Sequence, residues 1–566
     1  MDFVPFRTSS VRLLASAFVL VAAGCSSSRV ASDETSVANR ASDPEPAGQT
    51  TESGPSVESL TSGQESPNVW FQDETTDSRV GAEVVPAYAI LEGRSPQKQV
   101  IVAVIDSGVD INHEDLKDNI WTNEDEVPSN GIDDDNNGYV DDVHGWNFIG
   151  GRDGRNVEFD TYEMTRELVR LQNKYGQLAD AEANLPGDSS ELAYYRRVKE
   201  AFEDEKARMT EIGNSIDQAI QAATYANNII ATELGTARFS IEDVTSIVSD
   251  KPEVKQAQGI LVYLNDLGIS DEELHRESKE VHNRLTYGLD PGFDPREIVG
   301  DDYKDVSESH YGNSDVVGPD PLHGTHVAGI IAASRSNGKG IDGIAPNARI
   351  MVVRAVPNGD ERDKDVANAI RYAVDNGADV INMSFGKSFS PNAEVVAEAI
   401  SYADSKGVLM IHAAGNDAAD NDGEAHFPSR QNTASASPAR HWVEVGASTD
   451  DPSVLVAPFS NYGSTDVDVF APGTSILSTV PNNHYNEQDG TSMAAPVVSG
   501  VAALLLSYFP ALSPAEVRNL ILSSAQPYGG HMVLRPGSDD RVEFGSLSVT
   551  GGVVSARRAV AAAESL

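Results

Sequence analysis

Three short segments carry side chains that could act together on a carbonyl group. Gly490-Thr491-Ser492-Met493-Ala494-Ala495-Pro496 places a serine hydroxyl ahead of an apolar stretch, Val497 to Phe509. Val100-Ile101-Val102-Ala103-Val104-Ile105-Asp106-Ser107-Gly108 ends a continuous apolar run on the carboxylate of Asp106. His323-Gly324-Thr325-His326-Val327-Ala328-Gly329 opens a run of small residues on an imidazole. A serine hydroxyl becomes a useful nucleophile when a base takes its proton and a third group orients that base. The chain offers all three, in the order Asp106, His323, Ser492.

Each of these groups needs an element end to hold it. The run before Asp106 has the length and apolarity of a buried parallel strand, which delivers its last residue to the carboxyl edge of a sheet. The segments after His323 and Ser492 read as buried helices, whose first turns present free N–H groups and the positive end of the dipole. His326, three residues beyond His323, is expected to pack rather than react. Beyond Ala348 the chain alternates strand and helix: Ala348 to Val356, Asp365 to Asn376, Asp379 to Met383, Ala393 to Ser405, Gly407 to Ala413. That alternation predicts an α/β fold, a doubly wound parallel sheet with helices on both faces.

With these blocks in hand the chain resembles the subtilisin-like serine proteases, the subtilase family. The Asp-His-Ser order on an α/β scaffold separates this type from the chymotrypsin and α/β-hydrolase types. Two further blocks carry the likeness: Val380-Ile381-Asn382-Met383-Ser384-Phe385-Gly386 and His412-Ala413-Ala414-Gly415-Asn416-Asp417. The resemblance covers about residues 95–150 and 311–530. It implies a serine endopeptidase working through an acyl-enzyme, with Asn416 and the Ser492 backbone N–H as oxyanion donors. It also implies that Ser384, Phe385, Gly386 and Gly415 line the substrate cleft, with His426 at the base of the pocket for the residue before the scissile bond. An apolar or aromatic residue is expected there.

The loop Asn130 to Asp142 is crowded with carboxylates. Read from Asp133, its oxygen groups follow the spacing of an EF-hand-type calcium loop: Asp133, Asp135, Asn137, the carbonyl of Tyr139, and Asp141, with Gly138 at the turn. The bidentate Glu that usually closes such a shell is replaced by His144, which leaves Asp141 or Asp142 to close it. A structural Ca²⁺ is the expected cofactor.

The ends of the chain and its middle organise the rest. Arg7 and Arg12 precede a short apolar stretch, Leu13 to Gly24, and then Cys25, the single cysteine of the 566 residues. That pattern predicts an export signal over 1–25, too short to span a bilayer. It resembles a bacterial lipobox with Cys25 as the lipidated residue, which implies a membrane lipid anchor and an outer-membrane or cell-surface site; plain secretion is the alternative. Residues 26–67 are polar and acidic and read as a disordered tether. A first catalytic part is expected over 68–150, a helical insertion over 151–311, and a second catalytic part over 312–566. Trp70, Phe71, Ala87, Tyr88 and Leu91 are expected to pack on the catalytic core.

In the insertion, Met164, Leu168, Leu171, Tyr175 and Leu178 recur at helical spacing, as do Val198, Phe202, Met209, Ile212, Ile216 and Ala219. The pattern predicts an antiparallel helix pair, followed by helical stretches Ile241 to Leu267 and Asp271 to Leu285. Because the insertion joins the Asp106 and His323 blocks, it must emerge near the rim of the site. It is either a decorative subdomain or a lid that restricts substrates.

Lys and Arg number 42 against 87 Asp and Glu, for a formal net charge of −45. This excludes nucleic acid as a partner, while the resemblance implies polypeptide substrates. Such a surface also suits concentrated salt, where screening relieves its self-repulsion. A monomer is expected. The reading from a different class is a surface binding protein, or a narrow processing protein, acting mainly through the insertion.

Overall fold

The computed structural model describes residues 69–179, 190–433 and 436–566. The expected export signal, Cys25 and the tether lie outside the described residues. The chain forms two compact units; among described residues the larger lies within Pro67–Gly213 and Arg276–Leu566, the smaller within Asn214–His275. Much of the expected insertion therefore belongs to the unit that carries the sheet.

Among the described residues thirteen strands follow in chain order: β1 Ile101–Asp106, β2 Gly145–Asn147, β3 Arg349–Arg354, β4 Val380–Met383, β5 Leu409–Ala413, β6 Trp442–Ser448 and β7 Val469–Pro472, then β8 Ile476–Val480, β9 His484–Gln488, β10 Gln526–Pro527, β11 Met532–Leu534, β12 Arg541–Glu543 and β13 Gly552–Val553. Nine of them make one sheet in the order β10-β13-β7-β6-β5-β4-β1-β3-β2. All its pairings are parallel except β10 with β13. From β1 the chain builds β3 and β2 on one side, then β4 to β7 on the other, so the order reverses beside β1. Ligand crevices of open α/β sheets lie at such a reversal, beyond the carboxyl ends of the strands.

Helices cover both faces, as the alternation predicts. On one face the Val102, Val104, Ile350 and Val352 side chains pack with the helices Leu322–Ala332 and Thr491–Tyr508. On the other, Ala103, Ile105, Met351 and Val353 pack with Asp363–Asp375 and Ala393–Lys406. Successive strand residues point to opposite faces, so a strand buried on both sides must be apolar throughout. The arm before β1 docks as expected: Trp70, Phe71, Ala87 and Leu91 join the first of these cores, with Tyr88 against its edge.

In the larger unit, the helix Glu163–Ala179 and the first part of Ser190–Leu234 share a core of Leu168, Leu171, Leu192, Tyr195, Val198 and Phe202. Phe389, from the segment after β4, belongs to the same core. In the smaller unit the stretch expected as one helix from Ile241 divides into Ile241–Ser246 and Pro252–Asp266. Ser240 caps the first through a reciprocal bond with Asp243, and Pro252, which lacks an N–H, starts the second. Gln258 Nε2 donates to the Val244 and Ile247 carbonyls and ties the two together.

Candidate active site

Asp106 is the last residue of β1 and 2% exposed. Its Oδ1 accepts from the Ser107 N–H at 2.7 Å and faces His323 Nδ1 at 2.8 Å. A buried carboxylate on Nδ1 fixes the ring tautomer, with Nδ1 as donor and Nε2 as the basic nitrogen. His323 Nε2 is buried and has no hydrogen-bond partner, which leaves it available as a base. Close approach of its helix to β1 requires the glycine that follows: a Cβ on Gly324 would come within 2.2 Å of the Gly108 carbonyl oxygen and 3.1 Å of Asp106 Cβ.

Ser492 is the second residue of the helix Thr491–Tyr508, buried along its whole length. Its Oγ donates to the Ser384 carbonyl at 3.1 Å, and Ser384 Oγ donates back to the Ser492 carbonyl at 3.0 Å. Asn382 Nδ2 in turn donates to Ser384 Oγ at 2.9 Å. Serine–histidine contacts in ligand-free enzymes are often unmade until substrate arrives.

Asn416 lies beyond the end of β5. Its Oδ1 accepts from Thr491 N at 2.9 Å and Thr491 Oγ1 at 3.0 Å, which turns the amide nitrogen the other way. A Cβ on Gly490, at φ 151°, would sit 3.5 Å from Ser492 N and 3.7 Å from Asn416 Nδ2, so the two nitrogens lie near one point at the N-terminus of the helix, where an anion is favoured.

Ser384, Phe385, Gly386 and Gly415 are buried, with Ser384 bonded to Ser492 and the Gly415 N–H donating to Thr491 Oγ1. Phe385 packs its ring in the core with the helices Asp363–Asp375 and Ala393–Lys406. His426 supports two of the glycines, since a Cβ on Gly386 would come within 2.4 Å of its ring and one on Gly415 within 3.1 Å. Burial, and then the neighbouring His412, lower the His426 pKa. His412 faces Glu444 Oε1 through Nδ1 and the Phe385 carbonyl through Nε2, both at 2.8 Å. His412, His426 and Glu444 come within ligand distance of one another, yet His412 already spends both nitrogens on protein acceptors. His326 is a packing residue: Nε2 donates to the Ile476 and Asn486 carbonyls, and burial pushes its pKa down to about 3.

The segment that continues this wall is held from the insertion side. Lys387 Nζ donates to Glu163 Oε2 at 2.8 Å, to Asp363 Oδ1 at 2.8 Å and to the Glu361 carbonyl at 2.6 Å, all out of water. Glu163 stands at the start of the helix Glu163–Ala179 and also pairs with Arg166 at 2.7 Å. Two residues on, Phe389 meets Tyr194 edge to face at 6.0 Å. Nothing in the spacing of these residues pointed to this latch, whose halves lie far apart in the chain.

The acidic loop folds differently from a plain EF-hand reading. Asp133 and Asp135 come together with Glu126, a residue outside the motif. Glu126 Oε1 accepts from the Asp134 and Asp135 N–H groups, while Oε2 is buried without a partner, and burial raises its pKa. Asp141 instead turns back to accept from the Asn130 and Gly131 N–H groups. Asn137 Oδ1 accepts from Tyr139 N, and Asp142 is fully buried against Asn123, Asn137 and Tyr372. The all-oxygen cluster with an orphaned buried carboxylate oxygen fits a hard cation.

Residues 97–545 match the subtilase family. A thermophilic serine proteinase of Bacillus sp. (strain AK1) is 39% identical over 241 residues, 42% of this chain and 54% of that protein. Subtilisin DY of Bacillus licheniformis is 37% identical over 208 residues, 37% of this chain and 71% of that protein. Halolysin of Haloferax mediterranei is 40% identical over 245 residues, 43% of this chain and 42% of that protein. The chain thus spans only about half the length of the first and third of these relatives. A family match over most of its length, residues 97–545, shows that the chain belongs to the subtilase family, the subtilisin-like serine proteases.

Proposed function

We propose that the chain is a serine endopeptidase, and the 2.8 Å contact of the buried Asp106 carboxylate with His323 Nδ1, which leaves Nε2 available as a base, carries the reading. Ser492 Oγ leaves the Ser384 carbonyl and attacks the peptide carbonyl carbon, while His323 Nε2 takes its proton. Asp106 orients the ring and stabilises the imidazolium. The oxyanion enters the space flanked by Asn416 Nδ2 and Ser492 N. His323 then hands the proton to the leaving amine, and water repeats the cycle on the acyl-enzyme. Removing one such oxyanion donor costs roughly 3–4 kcal/mol of transition-state stabilisation. Hydrolysis of a quenched peptide, abolished by Ser492→Ala, tests the assignment.

Ser384, Gly386 and Gly415 are proposed to hold substrate through their backbones. The part of the insertion in the larger unit, tied to Lys387 through Glu163, is proposed to act as a lid that restricts substrates. Glu126, Asp133 and Asp135 are proposed to hold a structural Ca²⁺, which would neutralise the loop and tie it to the segment after β1. The pattern of residues 1–67 supports export as a lipoprotein anchored at Cys25.

A further inference from the structure

His412 is the fourth residue of β5, and its imidazole is wholly buried. The triad reaction makes no use of it. Both ring nitrogens nevertheless face acceptors, Nδ1 the Glu444 carboxylate and Nε2 the Phe385 carbonyl, each at 2.8 Å. A neutral imidazole carries one N–H and can serve only one of the two. Both are served when the ring is the imidazolium, with Glu444 as its counter-charge. Glu444 Oε2 accepts from Trp442 Nε1 at 2.8 Å, so the carboxylate is itself held on both oxygens. Carboxylate, imidazolium and carbonyl form one buried chain from β6 through β5 to the segment after β4.

Its place in the fold points to a task. Met383, His412 and Glu444 lie side by side in register across β4, β5 and β6. Met383 ends β4, so Phe385 lies past the register that pairs β4 with β5. There the His412 side chain takes the Phe385 carbonyl. That carbonyl shares a planar trans peptide unit with the Gly386 N–H, and the two point in opposite directions. Anchoring the carbonyl on the buried ring therefore turns the Gly386 N–H away from His412. Beyond Gly386, Lys387 exchanges two backbone bonds of 2.9 Å with Phe427. Gly386 is thus fixed on both sides. His426, whose ring centre lies 5.4 Å from that of His412, does not compete for the carbonyl, since its Nε2 donates to the Ala413 carbonyl at 3.3 Å.

We propose that His412 is a positioning residue for substrate: held by Glu444, it fixes the Phe385–Gly386 peptide so that Gly386 presents its backbone to an extended polypeptide. The inference rests on the reading of Gly386 as a backbone that holds substrate. It assigns His412 to the binding of a peptide chain, and not to the activation of Ser492.

Two substitutions separate the two contacts. An Asn amide nitrogen falls near the place of Nδ1, and a Gln amide nitrogen near that of Nε2. His412→Asn therefore keeps the Glu444 contact and gives up the Phe385 carbonyl, while His412→Gln does the reverse. In the full chain, KM for an extended quenched peptide is compared with the rate of labelling by a small fluorophosphonate, which reads the triad. Similar labelling rates are expected in the parent and both variants. KM should rise roughly tenfold in His412→Asn, as for a lost hydrogen bond from a charged donor, and stay within a few-fold of the parent in His412→Gln. An equal change of KM in both variants, or labelling that falls along with peptide hydrolysis, would overturn the proposal. A parent that takes no label would instead sink the endopeptidase reading itself. A second measurement leaves His412 in place: in the ring ¹⁵N spectrum of the full chain carrying Ser492→Ala, Nε2 of His412 should be protonated at neutral pH. A bare Nε2 would contradict the proposal.

Discussion

Ser384 and Ser492 hold one another by two hydrogen bonds of opposite direction, hydroxyl to carbonyl each way, at 3.0 and 3.1 Å. The pair fastens the start of the helix Thr491–Tyr508 to the end of β4, and through Ile105 and Met383 in register it is fastened to the strand that carries Asp106. The serine is parked on a backbone acceptor while the base waits with Nε2 unengaged. Ser384→Ala removes a bond worth about 1 kcal/mol and leaves the Asn382 amide short of a partner. Stability should fall by roughly 1–3 kcal/mol in denaturant unfolding, with a loss of kcat exceeding any change in KM.

Asn416→Ala tests the oxyanion assignment. The account expects kcat to fall by roughly 10²–10³-fold with little change in KM. A kcat within a few-fold of the parent would remove Asn416 from the reaction. Because Oδ1 also holds Thr491, the unfolding midpoint of the variant should be measured alongside.

Acid should loosen the latch between Glu163 and Lys387. Burial alone would raise the Glu163 pKa, but Arg166 and Lys387 outweigh it and hold the group down to about 2. The unfolded chain binds that proton near about pH 4.3. Stability from Glu163 is thus complete above the unfolded value and drains away as pH falls towards 2. Thermal midpoints of Ser492→Ala across this window should drop steeply, and adding Glu163→Gln should flatten part of the drop. A midpoint independent of pH there would contradict the buried pairing.

Calcium should bind and stabilise through Glu126. At a concentration a hundredfold above Kd, a native-state ligand contributes about 2.7 kcal/mol. Chelation should lower the midpoint of the parent, while Glu126→Gln should lose the calcium response. Unchanged midpoints in chelator would leave the loop a solvated turn.

Residues 157–305 should govern which substrates enter. Their deletion is expected to speed cleavage of folded proteins more than of short peptides. Equal rates for both classes, with and without the segment, would make the insertion decorative.

What the sequence disclosed follows from range. Asp106, His323, Asn416 and Ser492 each sit in a contiguous block whose apolar run also predicts the element beneath it, so strand, helix and site were legible together. The arm at Trp70 was legible because large apolar residues stand out after a polar tether. Glu126 was not, since its carboxylate joins Asp133 and Asp135 through a loop whose path no spacing rule specifies. Lys387 and Glu163 were invisible as partners for the same reason: each reads as an ordinary surface charge, and only the packing of the insertion on the segment after β4 brings them together. Phe385 was expected at the cleft by resemblance; the packing of its ring in the core follows from its position after a strand buried on both faces.

The central claim is that Ser492 is an activated nucleophile. A small fluorophosphonate probe, applied to the chain and to Ser492→Ala in calcium-containing buffer at low and high NaCl, tests it most directly. Covalent labelling of the parent that disappears in Ser492→Ala is the expected result. Labelling that survives the substitution, or a folded parent unlabelled in either salt, would contradict the account.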